Sequence, residues 1–224
     1  MGRDIPSFVY GLQEDYKKLY YSEPSAALKV PITIAPGYGV LKQGTVLSRV
    51  TSAAGNLGYF IPYDPTIGGV TGAEVAPGRA YLTEQQGTGT TVCSVTLEDS
   101  YKFAVGDDII ICDSDGEGTS DNGGAIISID RTTYPTHAVI TITTQTDDTF
   151  TLAKFAFAMV EGALTAVGIL EKSVDTGLGE NAKGALATLI LGNAVLYKGM
   201  ILNMDSGAIT DLSVGTIGQF YYIR

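Results

Sequence analysis

Residues 83–162 break into five short runs rich in β-branched side chains, at 92–97, 108–112, 125–129, 138–144 and 150–152. Turn-forming clusters separate them: Val105-Gly106-Asp107, the acidic stretch 113–122, and Tyr134-Pro135-Thr136. β-branched residues are stiff at χ1 and suit a pleated surface, and the runs are short with turns between them. The pattern predicts a small antiparallel β-barrel or sandwich, held as an inserted unit between two outer blocks of chain. Insertions of this kind are tolerated where the ends of the host lie close together and exposed.

The outer blocks also read as β structure. Val30, Ile32 and Ile34 alternate with Pro31, Thr33 and Ala35, the period of a half-buried strand. Pro31 has no N–H for a ladder, so the strand is an edge strand or turns that position outward. Gly39-Val40-Leu41-Lys42-Gln43-Gly44-Thr45-Val46-Leu47 continues as a strand through Ser48-Arg49-Val50-Thr51. Ala53-Ala54-Gly55-Asn56-Leu57-Gly58 turns it back, and Tyr59-Phe60-Ile61-Pro62-Tyr63-Asp64-Pro65 forms the exit. Residues 152–160 alternate again and return the chain to its host. Beyond them, 165–170 reads as a strand and the glycine-rich 175–184 as a loop. Residues 185–191 form an apolar run whose length does not separate a fully buried strand from a short helix. The closing Phe220-Tyr221-Tyr222-Ile223 reads as a paired strand rather than a frayed tail.

Residues 1–30 read as an extended N-terminal arm. Pro24 and Pro31 favour an extended exit, and Gly11 and Pro6 weaken any helix. Apolar side chains are dense here: Phe8, Tyr10, Leu12, Tyr16, Leu19, Tyr20 and Tyr21. An isolated arm cannot bury them all. They pack back on their own domain or dock on a partner.

The chain carries a formal charge of −10, so its surface repels phosphates, and a nucleic-acid partner is disfavoured. No run of signal-peptide length follows the first residues, and Pro6 stands where a myristoylation site wants Ser or Thr. No stretch approaches the roughly 18 apolar residues of a membrane span. The expectation is a protein made in the cytoplasm, with no membrane partner.

Little in the chain points to chemistry. The single imidazole, His137, follows a turn and has no nucleophile in its motif, so no catalytic residue is expected and the chain is not read as an enzyme. Asp113-Ser114-Asp115-Gly116-Glu117-Gly118 imitates the start of a calcium loop, but Gly124 stands where the bidentate Glu belongs. A solvated turn is the expectation there, with no metal. Gly177-Leu178-Gly179-Glu180-Asn181 resembles half a phosphate loop without its Lys and Ser/Thr, so no cofactor is expected. Cys93 and Cys112 are read as lying on neighbouring strands, either as packed thiols or as a late-formed disulfide.

The Leu-x-x-Gly-Thr-Val-Leu strand, the Gly/Asn turn and the Tyr-x-x-Pro-Tyr-Asp-Pro exit together resemble the head-decoration proteins of tailed phages, of the phage lambda type. The likeness resumes at Ala166-Val167-Gly168-Ile169-Leu170-Glu171-Lys172-Ser173-Val174-Asp175 and runs to about Leu202. It implies a mainly β chain in three parts: an N-terminal capsid-binding arm (1–30), a discontinuous decoration-protein core (31–82 and 163–224), and an inserted β domain (83–162). It implies a structural virion protein on the outer surface of the head. Homotrimers at local three-fold axes would bridge neighbouring major capsid proteins and stabilise the shell. The arm aromatics named above would then meet the capsid, and the insert, which small members lack, would project outward. The alternative is a glycan-binding or adhesin-like β protein of a virion tail or cell surface.

Overall fold

The computed structural model describes residues 19–21, 24–51, 55–64, 78–113, 120–214 and 220–223. The strands up to the middle of the chain are β1 (Leu28–Ile34), β2 (Val40–Leu41), β3 (Val46–Arg49), β4 (Phe60–Pro62), β5 (Ala80–Tyr81), β6 (Val92–Thr96), β7 (Asp108–Cys112) and β8 (Ser120–Asp130). They continue as β9 (His137–Ile142), β10 (Phe157–Val160), β11 (Ala166–Leu170), β12 (Val174–Asp175), β13 (Ala185–Gly192), β14 (Ala194–Tyr197) and β15 (Phe220–Ile223). Two short helices join them, α1 (Leu97–Ser100) and α2 (Ser206–Val214). The protein is mainly β, as the sequence predicts.

The host blocks close into a barrel in the order β1-β13-β11-β3-β4. β1 and β13 pair antiparallel over Lys29↔Ile190 to Ile34↔Ala185, whereas β1 meets β4 at a single parallel rung, Ile34↔Phe60. Backbone direction explains how Pro31 is accommodated. Glu171 donates its N–H to the Thr188 carbonyl, so Thr188 faces β11 and its partner Pro31 faces away from β13. The missing N–H therefore falls where β1 has no ladder to complete.

Residues 80–160 form the second sheet, in the order β5-β10-β7-β8-β9-β6. Its ends nearly meet: Leu82 bridges Val95, and Thr83 donates to the Ser94 carbonyl at 2.8 Å. Residues 80–160 thus form a second, almost closed barrel, with β5 beginning a few residues before position 83. β9 shows the cleanest alternation of half-buried and buried side chains, with Ala138, Ile140 and Ile142 turned inward.

One apolar cluster runs through both barrels, from Ile32, Leu47, Ile61 and Leu189 to Val95, Ile109, Ile140 and Phe157. The contact between them is polar as well. Asp107, fully buried, accepts from Asn56 N at 2.6 Å, from Asn56 Nδ2 at 2.8 Å and from Ala104 N at 2.8 Å. Gly37 has φ 89°, and a Cβ there would lie 2.6 Å from the Tyr101 carbonyl. The turn at Gly37 therefore needs glycine for conformation and for space. Arg79 grips buried Asp64 through Nε and Nη2, and its guanidinium lies 4.1 Å from the Phe157 ring centroid.

A second cluster covers the outer face of the host barrel. Val46, Ala166, Ile169 and Ile190 lie under Leu196, Ala208, Leu212, Leu19 and Tyr20. β14 is paired on both sides, with β15 in parallel and with Tyr20 through a bridge at Leu196. The chain end at 220–223 is therefore a paired strand, as expected.

Several expectations need correction. Cys93 and Cys112 are not on neighbouring strands, because β8 and β9 separate β6 from β7; both thiols are free and buried. Residues 185–191 are a strand but not a fully buried one, since Leu186 is 84% exposed. Asp121 and Asn122 belong to β8, opposite Ile111 and Ile110, rather than to the acidic turn, and 114–119 lie outside the described residues. Helix α2 was not anticipated. Its sequence is poor in strong helix formers, and it is held by Asp205 Oδ1 accepting from Ala208 N at 2.7 Å and by burial of Ala208 and Leu212.

Candidate functional site

A groove of about 480 Å³ opens where β1 and β4 part company. Upstream of the Ile34↔Phe60 rung the two segments diverge, because residues 56–59 turn back on β3. Gly58 donates to the Val50 carbonyl at 3.0 Å, Val50 to Tyr59 at 3.0 Å, and Tyr59 to Asn56 at 2.9 Å. The turn uses Gly58 at φ 83°. Pro31, Ile32 and Thr33 line one wall, Leu57, Gly58, Tyr59 and Phe60 the other, and Leu186 stands at the rim. Leu57 is 58% exposed and Leu186 is the most exposed large apolar side chain among the described residues. No lining residue carries a charge, in a chain whose net charge is −10.

Of the arm residues, Leu19 and Tyr20 are buried in the second cluster. Tyr20 donates its hydroxyl to Glu171 Oε1 at 3.1 Å, its ring lies 5.2 Å from Lys29 Nζ, and Lys29 pairs with Glu171. The structure thus packs these two onto their own barrel. Burial wins because β13 and β11 leave Ile190 and Ile169 outward-facing and in need of cover. Tyr21 is exposed and meets the Tyr197 ring edge-on at 5.6 Å. Phe8, Tyr10, Leu12 and Tyr16 lie outside the described residues.

The single imidazole sits in an arrangement unlike a catalytic triad. Ser94 Oγ donates to Glu84 Oε2 at 3.2 Å, and His137 Nε2 lies 3.9 Å from Glu84 Oε1. The carboxylate therefore stands between hydroxyl and imidazole, whereas a triad needs the imidazole between the other two. His137 also stacks on Tyr134 at 4.5 Å, which fixes its plane. Burial pushes both thiols up to about 12, Cys93 by desolvation alone and Cys112 with added repulsion from Asp64. Neither is a thiolate near neutral pH. Burial likewise raises Asp64, against the pull of Arg79. No group of three or more metal-ligating side chains occurs among the described residues.

No protein-family model matches the chain, and neither does any curated protein or solved structure.

Sequence reasoning missed the groove. Leu57 was read as part of a turn and Leu186 as part of a buried run, and neither carries a motif. The available signal was Pro31, which marks a strand position with no ladder beside it.

Proposed function

We propose that the protein decorates and stabilises the outer surface of a tailed-phage head. It would bind as homotrimers at local three-fold axes and bridge neighbouring major capsid proteins, as a structural component with neither catalytic activity nor cofactor. The observation that supports this reading is how the two family-like blocks meet. Far apart in sequence, they lie side by side: β3 pairs with β11 through Leu47↔Gly168 and Val46↔Ile169, and β2 pairs with β12 through Leu41↔Val174. The Gly44 turn of the first block is locked by the second, since Gly44 N donates to the Leu170 carbonyl at 2.9 Å. Gly44 has φ 85°, and a Cβ there would overlap the Met200 carbonyl. The residues that carry the resemblance therefore make one structural unit. Repeated over an icosahedral shell, modest contacts from each copy would add up to a large stabilisation.

Since Leu19 and Tyr20 serve the barrel, any contact between the arm and the shell falls to the residues before them and to exposed Tyr21. The test is to separate heads from tails of disrupted virions and probe each with an antibody to this chain. Recovery on heads, in multiples of three per lattice site by cryo-electron microscopy, is expected. Recovery on tails would favour the adhesin reading, and absence from both would end the proposal.

A further inference from the structure

The groove holds an incomplete rung of β-sheet. Ala35 N–H bonds the Phe60 carbonyl at 2.9 Å, so alternate residues of β1 face β4. One step back, the Thr33 N–H and the Pro31 carbonyl point the same way and bracket a position opposite Ile32. β4 does not fill that position, because residues 56–59 turn back toward Val50. The groove thus offers one backbone donor and one acceptor between apolar walls, the elements by which a sheet edge takes an added strand.

We propose that this position seats the chain's own N-terminal run, Phe8-Val9-Tyr10-Gly11-Leu12, laid in beside β1 as a short extended strand. The first argument is where the preceding chain starts. Tyr20 is fixed beside Lys29 on β1, four residues from Thr33. At about 3.3 Å per residue, Thr33 lies about 13 Å along the strand, and the seven residues from Leu12 to Leu19 reach about 23 Å when extended. The run can therefore reach the groove from its own anchor, at a high effective concentration.

Composition is the second argument. Residues 5–13 carry no charge, and neither does any residue lining the groove. Phe8, Tyr10 and Leu12 alternate with Val9 and Gly11, so an extended run sends three apolar side chains to one side. Size is the third. Eight residues line the groove, against the roughly 20–30 a side of a stable protein–protein interface, so a single segment fits where a globular partner does not. The seat belongs to the free protein and does not rest on the decoration reading.

Two measurements on the full-length protein test this. By NMR hydrogen exchange, the Thr33 amide is expected to be protected. Tyr10→Asp with Leu12→Asp should speed its exchange at least about tenfold, leaving Ile32 and Ile34, which bond β13, unchanged. Equal Thr33 rates in the two proteins would overturn the proposal. In the second, Tyr10→Cys with Leu57→Cys is oxidised, and Cys93 and Cys112 do not compete because they are buried. A cross-link within one chain places the run in the groove, and a cross-link only between two copies, or none, overturns the proposal.

Discussion

The two barrels solve the same packing problem in opposite ways. The inserted barrel, β5 to β10, is continuous in sequence and is one-sided over β8 and β9: β9 turns Ala138, Ile140 and Ile142 inward, and on β8 Ile126 is buried while Ile127 is 55% exposed, whereas all four residues of β10 are buried. The host barrel is assembled from distant segments and is covered on both faces over part of its wall. Leu47, Leu170 and Leu189 face inward, while Val46, Ile169 and Ile190 face outward under α2, β14 and Tyr20. Where a sheet is one-sided, as over β8 and β9, it needs nothing beyond its own core. A two-sided wall depends on a second layer, and where that layer stops, at Leu186 and Pro31, apolar surface is left open. The region with the least regular sequence pattern is therefore the one that leaves apolar surface open.

The hardest test of this contrast is to excise residues 83–162 and join the ends with a short Gly/Ser link. Because one cluster runs through both barrels, the remaining host is expected to lose cooperative unfolding, as followed by calorimetry. A sharp transition in the shortened protein would show that the barrels are independent after all. Next in size is Phe157→Ala. Phe157 is fully buried in the shared cluster, under Arg79 and edge-on to Tyr81, so a loss of about 3–5 kcal/mol is expected in urea unfolding.

Asp107→Ala probes the polar half of the same contact. It strands the buried N–H donor of Asn56, worth about 1–3 kcal/mol when left unsatisfied, and the part-buried one of Ala104. A shift in midpoint below 0.5 kcal/mol, the scale of a surface change, would show that the turn at Asn56 relaxes away from the insert at little cost. The smallest effect is at the cysteines. Both are free, both lie inside the shared cluster, and burial holds both near 12. Dithiothreitol should leave Tm unchanged. At pH 8 an aromatic disulfide reagent should label neither thiol in the native protein and both in urea. Fast native labelling of Cys93 or Cys112 would show that the cluster opens around it.

Much of the insert was legible because β8 and β9 are solvated on one side, so alternation survives in β9 and the turns carry their own residues, as at Val105-Gly106-Asp107. Residues 185–191 were not legible in the same way, because Leu189 packs inward and Ile190 outward and both are buried. Helix α2 was missed because its cap, Asp205, and its buried pair, Ala208 and Leu212, act through neighbours contributed by β3 and β11. The groove was illegible for a related reason: its walls come from β1, the turn before β4 and the edge of β13.

By itself the sequence determined what local chemistry dictates. It set a β-rich chain from its β-branched runs and glycine turns, a strand with an outward Pro31, a closing strand at 220–223, and an acidic surface with one imidazole. Tertiary structure alone decided that Leu19 and Tyr20 serve the barrel, that Cys93 and Cys112 have two strands between them, and that two distant blocks meet around Gly44. These depend on which faces remain uncovered once the sheets have closed. That is a property of long-range pairing, and no stretch of adjacent residues encodes it.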